Sequence, residues 1–304
     1  MDLYNEERPT SFRDVIGQED ACKQLISLSK SKQGIPHCIL FSGPSGCGKT
    51  TLARIIRNKL KCSDNDFVEI NGANDRGVDM VRGIQNRVGL SPMNGKSRVW
   101  LIDECHMLTA EAQSALFKLL EEPPEHAYFM LATTLPEKLK KAIQTRATDI
   151  KVRSLHEAEI ASLVDTVMTK HTGQTLSPDV GAKLAEIAEG SARKALVLLA
   201  QIMGIDDVKV QLNVLEHQDI KKEAIEIARA LLNGSWATVA PIIKACVGEP
   251  ESIRWLVLAY FTTIALSASQ KSGRAIEIIE EFECNYYDTK RAGLVVSCYR
   301  ACTK

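Results

Sequence analysis

This 304-residue sequence has no net charge: 38 Lys and Arg balance 38 Asp and Glu. A chain that grips nucleic acid by itself often shows a basic excess, so any such contact must come from a local patch or from several subunits pooling modest ones. Long apolar runs are also missing. The longest uncharged apolar stretch, residues 255–270, falls short of the ~20 residues a membrane span needs, and Thr262 and Thr263 interrupt it. It reads as a buried helix. Residues 1–9 are polar and acidic and hold no apolar core of a signal peptide. The nine cysteines are scattered without a CxxC pair, and Cys298 and Cys302 stand at helical spacing with no His beside them. A zinc site is thereby disfavoured, and reduced thiols in a cytosolic compartment fit best. The sequence contains no internal repeat and no low-complexity linker.

What is present is an ordinary globular composition, 45% hydrophobic and 25% charged, with length enough for about two domains. Residues 38–42 (CILFS), 67–70, 99–102, 128–133 and 148–152 read as strands, and residues 50–60, 78–88 and 110–120 as helices. Strands alternating with helices predict a parallel sheet covered on both faces. From residue 154 the apolar period is helical throughout: 156–171, 177–189 and 191–203. After a break at 204–208 come 219–232, 236–247, 251–269, 273–282 and 287–302. The expectation is an α/β domain over 1–153, a small helical domain over 154–215 and an all-helical domain over 216–304.

Residues 43–50 (GPSGCGKT) fit the P-loop pattern GxxxxGK[ST]. Small residues let backbone N–H groups close round a phosphate, and the following helix presents its positive end to it. Lys49 should reach the β- and γ-phosphates of ATP, and the Thr50 hydroxyl should ligate Mg²⁺. The pattern sits between an apolar strand and a helix, as it must. About 55 residues further on, the apolar strand 98–103 ends in Asp103 and Glu104. Asp103 suits the metal. Glu104 is displaced by one residue and suits polarisation of an attacking water. His106 reads as a structural or coupling residue.

Together these motifs resemble the AAA+ clamp-loader ATPases: replication factor C small subunits, the bacterial polymerase III gamma/tau subunit and their phage equivalents. The resemblance is strongest over residues 8–200. Beside the P-loop and Asp103–Glu104, it is carried by 8–9 (RP), 14–18 (DVIGQ), 74–82 (NDRGVDMVR), 108–109 (LT) and 112–116 (AQSAL). It continues through 119–123 (LLEEP), 132–134 (ATT), 145–147 (TRA) and 190–196 (GSARKAL). It implies a P-loop AAA+ domain followed by a helical lid and an all-helical collar that holds subunits in an oligomer. It implies nucleotide contacts from Tyr4, Arg8, Pro9, Val15 and Ile16 round adenine and ribose. Gly43, Pro44, Ser45, Gly46, Cys47, Gly48, Lys49, Thr50 and Thr51 would hold the phosphates. Thr134 falls at the sensor-1 position, and Arg193 resembles the sensor-2 arginine that reaches the nucleotide from the lid. Arg146 matches the arginine of the family's Ser-Arg-Cys motif, here within TRA, which acts on the neighbouring subunit's ATP. Such a finger is worth about 10³–10⁵ in rate; the alternative is a surface ion pair. Gln113 resembles the glutamine that links a DNA-facing helix to the ATP site.

Five basic residues and one acid lie between Arg76 and Arg98, the strongest local surplus in the chain. The resemblance implies that the helices entered at Val78 and Thr109 track duplex phosphates. Arg82 leads the candidates for DNA contact, then Arg87 and Lys96, with Thr109 as a helper; a solvated helix face is the alternative. Contacts of this kind position without reading sequence. Residues 216–304 contain eleven Lys and Arg against eleven Asp and Glu, a balance suited to protein packing. Trp255, Tyr260, Phe261, Tyr286 and Tyr287 are either interface anchors or ordinary core.

The reading is an ATPase subunit of a cytoplasmic clamp loader, with a sliding clamp, primer–template DNA and sister subunits of a pentamer as the expected partners. Two departures lean it toward the phage or archaeal and eukaryotic small subunits. It lacks the cysteine zinc module of the bacterial subunit, and it ends soon after the C-terminal helices. A Holliday-junction branch-migration helicase is the first rival, although those carry a basic winged helix. A non-catalytic scaffold subunit is the second, although it would lose Lys49 or the Asp103–Glu104 pair.

Overall fold

The computed structural model describes residues 2–232, 234–267 and 270–303. The chain divides into two compact units, Met1–Gly204 and Ile205–Lys304. In the first unit, helices α1 (Leu3–Glu6) and α2 (Glu19–Lys30) precede strand β1 (Cys38–Ser42) and helix α3 (Lys49–Lys59). Then follow β2 (Phe67–Asn71), α4 (Val78–Val88), β3 (Arg98–Asp103), α5 (Ala110–Glu121), β4 (Ala127–Thr133), α6 (Lys141–Arg146) and β5 (Thr148–Lys151). The unit closes with α7 (Glu157–Thr172), α8 (Pro178–Ala188) and α9 (Ala192–Ile202).

The strands form one parallel sheet in the order β2-β3-β4-β1-β5. Apolar runs such as CILFS conceal a period of two, because a parallel sheet buries both faces. Ile39 and Phe41 of β1, Val99 and Leu101 of β3, and Met130 and Ala132 of β4 pack with Ala21, Leu25, Leu52 and Ile56 of α2 and α3. The alternate residues Leu40, Trp100, Ile102, Phe129 and Leu131 pack with Val81, Ile84, Leu116 and Ile143 of α4, α5 and α6. Trp100 and Phe129 stack across β3 and β4 at 5.3 Å between ring centroids.

All five expected strands are present to within a few residues. Helix α2 is not among the expected elements: Ala21 and Cys22 supply much of its buried face, and such small residues give a faint periodic signal. Two short helices, α1 and α6, fall below the length at which periodicity can be read.

The described residues of the second unit form five helices: α10 (Val208–Leu232), α11 (Trp236–Ala245), α12 (Pro250–Leu266), α13 (Ser272–Glu281) and α14 (Lys290–Thr303). They share a core that includes Ile227, Leu231, Val239, Ile253, Phe261, Ile278 and Leu294. Helix α10 starts eleven residues before the expected 219, and the boundary expected at 215/216 lies inside it. Gln211 and Leu215 are the buried side chains of that added stretch, too few to mark a face. Of the helix expected over 251–269, residues 268 and 269 lie outside the described residues. Helix α14 starts at Lys290 and not at 287. Arg254 and Glu251, both buried, pair at 2.6 Å, and Arg254 donates to the Phe282 carbonyl at the end of α13. Of the five aromatics in doubt, Phe261 and Tyr286 are core, Tyr260 is half-buried, and Trp255 and Tyr287 are exposed.

Candidate nucleotide site

The strand ends of β1, β3 and β4 meet at one edge of the sheet, where a parallel α/β fold opens its crevice. Leaving β1, the chain turns through Gly43, Gly46 and Gly48, all at positive φ. Two of these have no alternative. A Cβ on Gly43 would stand 1.9 Å from the Val152 carbonyl oxygen, and one on Gly46 2.1 Å from Ser191 Oγ. The turn delivers the first residues of α3, whose backbone N–H groups have no intrahelical partner and mark the positive end of the helix.

Lys49 folds back over the turn, its Nζ donating to the carbonyls of Gly43 at 2.8 Å and Pro44 at 2.7 Å. Burial lowers its pKa from the ordinary lysine value, and Glu104 and Asp103 oppose that shift. Thr50 Oγ1 donates to Asp103 Oδ2 at 3.2 Å across the gap between α3 and β3. Glu104 holds a left-handed backbone, φ 48°, a strained conformation that recurs at functional sites. Thr134 Oγ1 lies 3.4 Å from Glu104 Oε2, and His106 Nδ1 lies 3.3 Å from the same oxygen and 3.0 Å from Thr133 Oγ1. His106 thus braces the acid against the end of β4.

A polar pocket of about 320 Å³ is lined by Ser45, Lys49, Thr50, Asp103, Glu104, Arg193 and Tyr4. Beside it lies an apolar cleft of about 610 Å³, bordered by Tyr4, Arg8, Pro9, Val15, Ile16, Cys47 and Thr51. The pocket is lined mostly by polar surface and the cleft mostly by apolar surface. Gln18 and Leu196, each the last residue of a quoted motif, join the wall of the cleft, as does Leu163, which no motif announces. Gln18 is buried and ties Cys47 to Arg153 through both ends of its amide.

Arg146 is elsewhere. It ends α6, just before β5, whose Thr148 pairs with Ile39 near the start of β1. Lys49 follows the end of β1, so Arg146 and Lys49 lie at opposite edges of the sheet. Arg146 is exposed and caps α5 by donating to the carbonyls of Leu120, at 3.1 Å, and Glu121. Gln113 is buried; its amide donates to the Leu108 carbonyl at 3.2 Å and accepts from Lys140 N–H at 2.9 Å. It joins α5 to the segment that begins α6.

The basic patch is divided. Arg98 is buried, pairing with Asp66 at 3.0 Å and donating to the Arg87 carbonyl, which removes it from any surface patch. The N-terminal ends of α4 and α5 are adjacent, since Thr109 N–H donates to the Arg76 carbonyl at 3.0 Å and Thr109 Oγ1 accepts from Ala112 N–H. Arg82, on the second turn of α4, is exposed and pairs with Asp79 at 2.8 Å. Arg87 ends that helix and Lys96 precedes β3, so both belong to the far edge of the sheet.

Family models match two stretches of the chain: "DNA polymerase III, delta subunit" over residues 65–156 and "Sigma-54 interaction domain" over residues 15–77. The gamma subunit of DNA polymerase III from Buchnera aphidicola subsp. Schizaphis graminum is 34% identical over 254 residues, spanning 76% of this chain and 69% of its own. The chain belongs to the DNA polymerase III gamma/tau family. The tau subunit of Escherichia coli is 32% identical over 286 residues, 84% of this chain and 43% of its own. The gamma/tau subunit of Mycobacterium tuberculosis is 34% identical over 226 residues. The chain spans about two fifths, 39%, of that relative's length. Among solved structures, the RuvB Holliday junction branch migration motor of Thermotoga maritima superposes with a TM-score of 0.58 at 22% identity, covering 73% of this chain and 80% of that one. That likeness shows the fold alone, an AAA+ α/β domain followed by helices.

Proposed function

We propose that this gamma/tau-family chain is the ATP-hydrolysing subunit of a sliding-clamp loader, which uses ATP to hold a clamp open and place it on primer–template DNA. The observation that carries the reading is a divided active site. Lys49, Thr50, Asp103, Glu104 and Arg193 converge on one pocket, while Arg146 stands at the opposite edge of the sheet. Such a site is completed by a neighbouring subunit, as in a ring or spiral of five.

Thr50 Oγ1 and Asp103 Oδ2, two hard oxygen donors side by side at the pocket, fit Mg²⁺. When bound, the ion would neutralise charge on the phosphates. Lys49 positions the β- and γ-phosphates, and Arg193 reaches them from the lid. Glu104 accepts a proton from the attacking water, with Thr134 and His106 fixing its carboxylate. Arg146 of one subunit stabilises charge developing on the terminal phosphoryl group of the next. Arg82 and the N-terminal ends of α4 and α5 face the DNA backbone, with Thr109 at that edge. Gln113 couples this edge to α6. The second unit, helical throughout its described residues, serves as the oligomer collar. That architecture, together with the retained Lys49 and Asp103–Glu104 pair, disfavours both a branch-migration motor with a winged helix and an inert scaffold. No helix of the described residues is long and apolar enough to cross a membrane.

The test is Glu104→Gln in the complete assembly. ATP should still bind, while phosphate release falls on the order of 10²-fold or more. Wild-type turnover by that variant overturns the assignment.

A further inference from the structure

Tyr4 stands where the base cleft and the phosphate pocket meet. Among the described residues, it borders both together with Gly46 and Gly48, and it alone of the three has a side chain. Its phenolic oxygen accepts a hydrogen bond from Arg193 Nη2 at 2.9 Å. The guanidinium carbons of Arg193 and Arg8 lie 4.6 Å and 4.9 Å from the ring centroid. The ring quadrupole attracts both cations at once.

The short helix that carries Tyr4 is held at both ends. Leu3 is buried, and Glu7 pairs with Lys170 at 2.7 Å and His171 at 2.8 Å on the last turn of α7. At the other side of the contact, the backbone N–H of Arg193 donates to the Gly46 carbonyl at 3.2 Å, seating the start of α9 on the P-loop. Arg193 is therefore fixed at its backbone by the phosphate turn and at its tip by Tyr4. A guanidinium has five N–H donors in a rigid fork, so one bond to the phenol leaves the rest for a phosphate.

We propose that Tyr4 is a positioning residue for Arg193: it holds the guanidinium at the pocket before the terminal phosphate arrives, and so favours ATP over ADP. The inference rests on reading Arg193 as the lid arginine that reaches the terminal phosphate. Losing the phenol frees the long arginine side chain, whose ordering must then be met by the phosphate contact itself.

The experiment is calorimetric titration of the full chain with ATPγS and with ADP. Tyr4→Phe removes one oxygen and keeps the ring and both cation contacts. It should weaken ATPγS on the order of three- to tenfold and leave ADP within about twofold. Arg193→Ala should weaken ATPγS at least as much, and the double variant should match Arg193→Ala alone. Equal losses for ATPγS and ADP in Tyr4→Phe, or additive losses in the double variant, overturn the inference. If Arg193→Ala weakens ATPγS while Tyr4→Phe does not, the inference alone falls. If Arg193→Ala binds ATPγS as tightly as wild type, the lid-arginine reading falls with it.

Discussion

Asp66 belongs to no motif, yet its carboxylate accepts from Ser63 Oγ, from the backbone N–H groups of Met93, Asn94 and Gly95, and from Arg98. Burial by itself would raise its pKa, but the bonds from Ser63, Met93, Asn94 and Arg98 outweigh burial and hold the carboxyl well below the usual range. A carboxyl whose folded pKa lies below its unfolded value adds stability above the unfolded pKa of about 4. That stability fades as pH falls further. Asp66→Ala should cost about 3–5 kcal/mol near neutral pH, because it strands a buried guanidinium. The deficit against wild type should shrink as urea unfolding is repeated at successively lower pH. A deficit independent of pH would disprove the role. The same pair explains why Arg98 was misplaced by a reading of charge alone: burial is a property of the folded neighbourhood, and the sequence shows only a base at the head of a strand.

Elements decide which charges act together. On α4, Arg82 and Arg87 are five residues apart, so they point in directions about 140° apart on a helix of 3.6 residues per turn. Helix α4 runs antiparallel to the strands, which sends Arg87 and Lys96 to the edge away from the Thr109 cap. Arg82→Ala should weaken DNA binding by the assembly evenly across sequences and reduce the slope of log affinity against log salt by about 1. Lys96→Ala should leave that slope as it is. Anisotropy titrations over a series of salt concentrations check both, and equal slopes for wild type and Arg82→Ala would remove α4 from the DNA face.

For the whole molecule, the proposed function makes the site one half of a shared one. Glu104→Gln and Arg146→Ala disable different halves of it, and each should leave the partner half intact. Assemblies of either variant alone should hydrolyse ATP slowly. Mixed assemblies should recover part of the wild-type rate, since some interfaces then pair an intact Glu104 with an intact Arg146. A gain on the order of tenfold or more on mixing is expected from the worth of an arginine finger, measured as phosphate release at fixed total protein. No gain at any mixing ratio would place both residues in one subunit's site.

By itself the sequence determined the sheet, the P-loop and the Asp103–Glu104 strand end, because strong apolar runs and glycine turns are local signals. Tyr4, Val15 and Ile16, which the family resemblance implied, border the apolar cleft, and Thr51, grouped with the phosphate turn, borders that cleft and not the polar pocket. Only the tertiary structure decided what depends on contacts between distant segments. It brought Gln18 to the phosphate turn, seated His106 against Glu104, buried Arg98 on Asp66 and tied Tyr4 to Arg193 across 189 residues of sequence. It also put Arg146 at the edge opposite Lys49, since parallel strands send the residue before β5 and the residue after β1 to opposite ends. Spacing along a chain carries no information about which end of a strand a residue will occupy until the pairing and direction of its neighbours are fixed.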